Sequence, residues 1–224
     1  MNKRAFLKIF PVSLFGLFQN QKAFNQKGIS PTAGPTPKKI AYIVFDKITL
    51  LDLVGMYDPI SRLKSMKYLP NLEWDICSIA GPVKDSFGFE IQVDQIKPDL
   101  SQYDTLIIPG GFGTRPLQHD KAFIDWIKTA QSAQYKISVC TGALILGAAG
   151  YLEGKNATTN ASAYDLLSPY CEQVSKDKVV EDNNVITAGG VSSSLNLGLY
   201  LCEKWAGTEA RKAIQHKMDF ECFD

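Results

Sequence analysis

The stretch Ile137-Ser138-Val139-Cys140-Thr141-Gly142-Ala143 decides the fold prediction, because an apolar run passes here without a linker into small residues. Residues 135–139 are typical of a buried strand in a parallel sheet. The small residues that follow favour a helix over 144–149 that packs closely against this sheet. Cys140 is therefore predicted in a tight strand-to-helix turn at the carboxyl edge of the sheet, which is the geometry of a nucleophile elbow.

Cys140 is predicted to be a reactive thiol. At a helix start it lies beside unpaired backbone N–H groups, and these favour the ionised form of a cysteine. The thiolate is the nucleophilic form, so the position suits covalent chemistry. The alternative is an inert cysteine that fills the core as a small apolar side chain. Its place at the corner favours the reactive thiol.

Strands and helices alternate from residue 39 onward. This order predicts an α/β fold, in which helices cover both faces of a mostly parallel sheet. The predicted strands cover residues 40–45, 72–80, 104–109 and 135–139. The predicted helices cover 51–67, 122–133, 144–149, 195–206 and 208–218, the last with Thr208 as its N-cap. Short antiparallel pairs are expected within 81–93 and between 178–181 and 184–187.

The composition limits the classes of function. A chain of 224 residues that is 45% hydrophobic can bury a full core as one domain. A formal net charge of +1 gives no reason to expect a nucleic acid partner or attraction to an anionic membrane. Its five cysteines form no paired spacing and no Cys/His cluster, so neither a metal site nor a disulfide scaffold is predicted.

Residues 1–37 differ from the rest and are predicted to be a leader and linker, followed by one domain over 38–224. A basic start precedes ten apolar residues, 9–18, which are too few to span a bilayer, so no stable membrane insertion is expected. This layout resembles a twin-arginine-type export signal, with Lys3 in place of the first arginine. Export to the periplasm is favoured over the alternative, a cytoplasmic tail without a fixed fold.

Three predicted loops meet at the carboxyl edge of the sheet, where open α/β sheets bind their ligands. They contribute Asp52, then Gly110 and Gly111, and finally Cys140 and Thr141. The two glycines would let backbone N–H groups approach a ligand, as an oxyanion site requires, although an ordinary tight turn explains them as well. Thr141 adds an N–H and a hydroxyl, and its alternative role is to cap the helix.

Asp52 is an unusual residue for its surroundings, because it lies between Leu51 and Leu53. A carboxyl group there would be partly desolvated, and desolvation raises its pKa and suits it to hold or transfer a proton. The alternative is a capping aspartate at the start of the first helix. The sequence alone favours neither role.

The motifs of this chain resemble those of the ThiJ/PfpI superfamily, which shares the class I glutamine amidotransferase-like fold, and most closely its isonitrile hydratase branch. The resemblance covers about 38–220. It rests on Thr49-Leu-Leu-Asp-Leu-Val-Gly55, Ile108-Pro-Gly-Gly-Phe-Gly113, Ser138-Val-Cys-Thr-Gly-Ala-Leu-Ile-Leu-Gly-Ala-Ala-Gly150, Leu152-Glu-Gly-Lys-Asn-Ala-Thr-Thr159, Asp165-Leu-Leu167 and Thr187-Ala-Gly-Gly190.

The resemblance implies a flavodoxin-like three-layer sandwich, commonly a homodimer with its site near the interface. It implies that Cys140 is the nucleophile, Asp52 its acidic partner and Thr141 a neighbouring active-site residue. The implied reaction hydrates an isonitrile, or a similar small electrophile, to an N-substituted formamide. This small-molecule chemistry needs no metal and no organic cofactor.

One departure from the family pattern bears on the mechanism. Many relatives have a histidine after Ala-Thr-Thr, whereas this chain has Asn160. His119 and His216 lie in other segments, so a Cys–His dyad is not supported and chemistry by a cysteine and a carboxylate is favoured. Two alternatives remain open, namely a cysteine-based redox or ligand sensor and a glyoxalase- or deglycase-like enzyme.

Overall fold

The computed structural model describes residues 34–220, so the predicted leader up to residue 33 lies outside the described residues. The strands are β1 (Lys39–Ile43), β2 (Glu73–Ser78), β3 (Val83–Lys84), β4 (Glu90–Ile91), β5 (Gln95–Ile96), β6 (Thr105–Ile108), β7 (Tyr135–Val139), β8 (Asn156–Ala157), β9 (Gln173–Val174), β10 (Val179–Asp182) and β11 (Val185–Ala188). The helices are α1 (Leu50–Ser65), α2 (Thr114–Leu117), α3 (Lys121–Lys128), α4 (Gly142–Ala148), α5 (Tyr164–Leu167) and α6 (Ser193–Lys217).

A seven-stranded sheet forms the centre of the fold, in the order β10-β11-β7-β6-β1-β2-β5. Its neighbouring strands run parallel except for the antiparallel pair β10 and β11. Every residue of β6 and β7 is buried, as expected for central strands that helices cover on both faces. These features confirm the predicted α/β fold with a mostly parallel sheet.

Helices lie on both faces of the sheet, which makes the fold a three-layer sandwich. Tyr42 of β1 makes an edge contact with Tyr57 of α1 at 5.6 Å between ring centroids. Phe45, three positions along the chain and so on the opposite face, makes an edge contact with Phe123 of α3 at 6.3 Å. The α1 helix therefore begins at the carboxyl end of β1 and covers one face, while α3 covers the other.

The last two predicted helices form one nearly continuous element, α6, with a break at Gly207. Gly207 has φ +85° and ψ 169°, a conformation that suits glycine and interrupts the helical bonding. Thr208 was expected to cap the second helix, but its hydroxyl donates to the Glu203 carboxylate at 2.9 Å. The antiparallel pairs β3–β4 and β10–β11 confirm the two predicted short pairs.

The chain from Gly34 onward packs against the amino edge of the sheet. The Tyr135 hydroxyl donates to the carbonyl of Pro35 at 3.0 Å. The backbone N–H groups of Lys38 and Lys39 both donate to the Asp104 carboxylate, at 2.8 and 2.9 Å. Across residues 34–220, no helix combines the length and apolar character needed to cross a bilayer.

Candidate functional site

The corner between β7 and α4 has the predicted elbow geometry. β7 ends at Val139 and α4 begins at Gly142, so two residues make the turn. Cys140 has φ +53°, a left-handed conformation that is uncommon for a residue with a side chain. Gly142 passes so close to β6 that a Cβ there would overlap the carbonyl of Ile108. The small residue thus permits the close helix–sheet packing that the sequence predicted.

Hydrogen bonds from two separate segments hold the backbone of Cys140. Its N–H donates to the carbonyls of Ala188 and Gly189, at 3.0 and 2.8 Å, just where β11 ends. Its carbonyl accepts a hydrogen bond from the Thr159 hydroxyl at 2.7 Å. The Thr159 side chain is fully buried. The corner is therefore fixed on both sides by groups that lie outside β7 and α4.

Gly110, in the loop after β6, lies where the elbow and α1 meet. A Cβ on Gly110 would lie 2.6 Å from the backbone nitrogen of Thr141 and 2.7 Å from the Cβ of Cys140. The same atom would lie 2.8 Å from Oδ2 of Asp52. The structure thus brings together the three segments that the sequence predicted to meet at this edge, and only glycine fits between them.

Asp52 is a buried carboxyl group, not a helix cap. It lies in the first turn of α1, whose N-cap is Thr49, and the side chain has no accessible surface. Its Oδ2 accepts a hydrogen bond from the N–H of Gly110 at 3.0 Å. Its Oδ1 is buried and has no hydrogen-bond partner among residues 34–220. Of the two roles weighed from the sequence, the geometry favours the desolvated carboxyl group.

The two glycines do not offer free N–H groups to a ligand, which corrects the oxyanion expectation. The N–H of Gly110 donates to Asp52, and that of Gly111 donates to the Thr141 hydroxyl at 3.0 Å. The same hydroxyl lies 3.1 Å from the Gly111 carbonyl, to which it donates. Thr141 makes no side-chain cap to α4, so its hydroxyl ties the elbow to the loop after β6.

The pKa values of Asp52 and Cys140 are both raised, mainly by burial. The pKa of Asp52 rises from 3.8 to about 7, although hydrogen bonds from Gly110 and Cys140 oppose the rise. The pKa of Cys140 rises to about 11 through burial and then through the charge of Asp52, against an opposing N–H from Thr141. Burial and the neighbouring carboxylate therefore oppose the ionisation of Cys140 that its place at the helix start favours.

Neither histidine lies in the segments that build the elbow. His119 follows α2, and His216 lies in the last turn of α6. At the position after Thr159, the side-chain Oδ1 of Asn160 accepts hydrogen bonds from the backbone N–H and the hydroxyl of Ser162. No cluster of three or more His, Cys, Asp or Glu side chains between residues 34 and 220 is arranged to hold a metal ion. The titratable groups at the corner are therefore a thiol and a carboxyl.

Several known proteins are similar to this chain in both sequence and fold. The model of the DJ-1/PfpI family matches residues 38–204. The isonitrile hydratase of Pseudomonas putida is 34% identical over 184 residues, which cover 81% of this chain and 78% of that protein. The crystal structure of a ThiJ/PfpI family protein from Pseudomonas syringae is similar, with a TM-score of 0.76 and 26% identity, over 93% of this chain and 84% of that one.

A more distant structure agrees with this fold. Drosophila melanogaster DJ-1beta superposes with a TM-score of 0.71 at 19% identity, over 83% of this chain and 99% of that one. The family match spans well over half of the 224 residues and includes β1, the Gly110 loop and the Cys140 elbow. This chain belongs to the DJ-1/PfpI family.

Proposed function

We propose that this protein hydrates an isonitrile, or a similar small electrophile, to an N-substituted formamide. In this proposal Cys140 is the nucleophile and Asp52 transfers the protons. The observation that carries it is the convergence of a buried carboxyl and a thiol at Gly110. The 34% identity with an isonitrile hydratase supports the class of substrate.

The first step forms a bond between the sulfur of Cys140 and the terminal carbon of the isonitrile. Asp52 in its carboxylate form accepts the thiol proton as the sulfur attacks, and then passes this proton to the same carbon. The product is a thioimidate on Cys140, in which the carbon carries one hydrogen and a double bond to nitrogen. The thiol has thus added across the isonitrile carbon, and Asp52 is again a carboxylate.

The second step releases the formamide. Water adds to the thioimidate carbon while Asp52 accepts one of its protons and passes it to the nitrogen. The carbon–sulfur bond then breaks, the hydroxyl proton passes through Asp52 to the departing sulfur, and the carbon–oxygen bond becomes a carbonyl. The overall reaction is isonitrile plus water to N-substituted formamide. Proton transfer by a positioned side chain contributes about 10²- to 10⁴-fold in rate.

The pKa of Asp52 suits this double role. A carboxyl with a pKa of about 7 is present in both protonation states at neutral pH, so it both accepts and donates a proton readily. Its Oδ1 is buried without a hydrogen-bond partner among the described residues, and in this proposal it is the oxygen that accepts and donates the proton. Because both histidines lie outside the elbow segments, the proposal assigns no proton transfer to an imidazole.

The same pKa values weigh against the sensor alternative. Peroxide oxidises the thiolate form of cysteine, whereas burial of the Cys140 thiol and the charge of Asp52 raise its pKa and disfavour that form. Such a thiol reacts when a bound electrophile and a base are present together, as in the proposed hydration. A glyoxalase-like reaction would use the same two groups. The assay below therefore distinguishes the two activities by the substrate that the protein converts.

We also propose that the protein works as a homodimer. Phe87 and Phe89 on the β3–β4 hairpin and Phe112 in the loop after β6 are exposed, Phe87 by 95%. Ile48, which precedes α1, bridges to both Asp85 of the hairpin and Gly111. The three exposed rings, here called the phenylalanine cluster, thus lie on a hairpin and a loop that Ile48 connects. Exposed aromatic groups of this kind commonly mark protein contacts.

The assay that tests the proposed reaction incubates the purified protein with cyclohexyl isocyanide and measures N-cyclohexylformamide. The same reaction is run with Cys140→Ala, with Asp52→Asn and with a control variant of α1, Asp58→Asn. The carboxylate of Asp58 pairs with Arg62 of the same helix at 2.8 Å. We expect turnover by the wild type and by Asp58→Asn alone. A parallel reaction with methylglyoxal detects glyoxalase-like activity. Turnover of methylglyoxal without any formamide in the first assay, or equal formamide from Cys140→Ala, would reject the proposed hydration.

A further inference from the structure

Thr159 makes a contact with the elbow that its position in the chain does not suggest. It lies in the segment after β8, nineteen residues beyond Cys140. Its hydroxyl donates to the carbonyl of Cys140 at 2.7 Å, and Thr159 itself has no accessible surface. A buried carbonyl that lost this donor would pay the cost of an unpaired polar group.

The backbone of Cys140 needs such a restraint. Its left-handed φ of +53° is disfavoured for a residue with a side chain, and such a conformation persists only where the surroundings fix it. The N–H is fixed by the carbonyls of Ala188 and Gly189, and the carbonyl is fixed by Thr159. Rotation of this peptide would change the direction of the Cys140 side chain and its separation from Asp52.

We infer that Thr159 is a positioning residue, whose hydroxyl holds the Cys140 backbone in the conformation that keeps the sulfur beside Asp52. This inference rests on the proposed role of Cys140 as nucleophile. Thr159 acts through the carbonyl of Cys140 and has no assigned contact with substrate. The inference gives a purpose to the second threonine of the Thr158-Thr159 pair, which the sequence analysis used only as a family motif.

The neighbouring Thr158 provides a matched control. Its side chain is equally buried, but its hydroxyl has no hydrogen-bond partner among residues 34–220. Its backbone N–H donates to the Thr187 hydroxyl at 2.8 Å, and substitution of the side chain leaves this bond in place. Thr158→Val and Thr159→Val therefore remove the same chemical group from adjacent buried positions, and only the second removes a bond to Cys140.

The experiment measures the pH midpoint of Cys140 alkylation by iodoacetamide, followed by mass spectrometry of the peptide that contains Cys140. In Thr159→Val we expect the midpoint to fall by about one pH unit, because a displaced sulfur feels the Asp52 charge less. We expect the hydration rate to fall by about three- to tenfold, the effect of one lost hydrogen bond. Thr158→Val and Thr159→Ser should keep the wild-type midpoint and rate.

The alkylation midpoint does not depend on turnover, so the inference is tested even if no isonitrile is hydrated. Thr159→Ala and Thr159→Ser decide the matter if Thr159→Val does not fold, since only serine retains the hydroxyl. A wild-type midpoint in Thr159→Val or Thr159→Ala would overturn the inference. So would an equal shift in Thr158→Val, or a shift in Thr159→Ser as large as that in Thr159→Ala.

Discussion

Asp52 and Cys140 approach one another across Gly110, where a single added Cβ would lie 2.8 Å from the Asp52 Oδ2 and 2.7 Å from the Cys140 Cβ. The two groups also alter each other's pKa. The charge of Asp52 raises the pKa of the thiol, and a hydrogen bond from the thiol lowers the pKa of the carboxyl. Ionisation of Asp52 therefore opposes loss of the Cys140 proton, so the protonation of the two groups is coupled.

The pH dependence of hydration should follow the ionisation of Asp52. The attack by sulfur needs a carboxylate to accept the thiol proton, and burial sets the pKa of that carboxyl at about 7. We expect kcat/KM to increase about tenfold per pH unit below about 7 and to level off above it. Initial rates between pH 5 and 9 measure this increase in kcat/KM and the plateau above it. A rate that is flat, or that decreases, over the same interval would show that Asp52 is not the proton acceptor.

The stability of the fold should decrease as pH rises from about 4 to about 7. The folded carboxyl of Asp52 binds its proton more tightly than the unfolded one, so the folded state carries more protons in this interval. A pKa raised from 3.8 to about 7 corresponds to a loss of about 4 kcal/mol, as an upper bound. Urea unfolding at pH 4 and pH 8 measures the difference.

Asp52→Asn provides the control for this prediction. The amide does not ionise, and its oxygen can still accept the hydrogen bond from Gly110. The variant should lose less stability between pH 4 and pH 8 than the wild type, and it should be the more stable protein at pH 8. An identical pH dependence in the two proteins would contradict the raised pKa.

Gly110→Ala should disrupt the site and lower the stability. The new Cβ would meet the backbone of Thr141, the Cβ of Cys140 and the carboxyl of Asp52, all within 2.6 to 2.8 Å. Such overpacking typically costs about 1–3 kcal/mol. Gly190→Ala is a matched control, because the nearest atom to its Cβ is the Asn160 side-chain nitrogen at an ordinary 3.5 Å. Thermal unfolding compares them, and equal melting temperatures for Gly110→Ala and wild type would be the contrary result.

The position of the elbow could be predicted from sequence because its signals are local. The strand 135–139 is found where it was predicted, since five successive residues that are buried on both faces precede a run of small ones. The break at Gly207 also falls between the two helices that were expected. In contrast, β5 was not predicted, because it has only two residues, both exposed, and forms only through its pairing with β2.

The chemistry of the site could be predicted only in part. The sequence predicted that Asp52 and Cys140 lie close together, as the structure shows, but it considered only helix placement for the thiol, because desolvation is not visible in a sequence. It proposed open N–H groups at Gly110 and Gly111, whose actual partners come from residues far apart in the chain. The role inferred for Thr159 could not be predicted for the same reason, since its contact with Cys140 forms only when the segment following β8 packs on the elbow.

The phenylalanine cluster should mediate the proposed homodimer. Light scattering coupled to size-exclusion chromatography should give twice the chain mass at micromolar concentration. The double variant Phe87→Ser and Phe112→Ser should elute as a monomer, because it removes two of the exposed apolar rings. Tyr68→Ser, an exposed aromatic after the far end of α1, should remain dimeric. A monomeric wild type, or a double variant that stays dimeric, would place the contact elsewhere or exclude it.

The coupling of Asp52 with Cys140 is tested most directly by the pH midpoint of Cys140 alkylation in the wild type and in Asp52→Asn. We predict a wild-type midpoint well above the free-cysteine value of about 8.5, because burial and the Asp52 charge both raise the pKa of the thiol. Removal of that charge should lower the midpoint by about one to three pH units. A wild-type midpoint near 8.5 that does not move in Asp52→Asn would contradict a shared proton between these two residues.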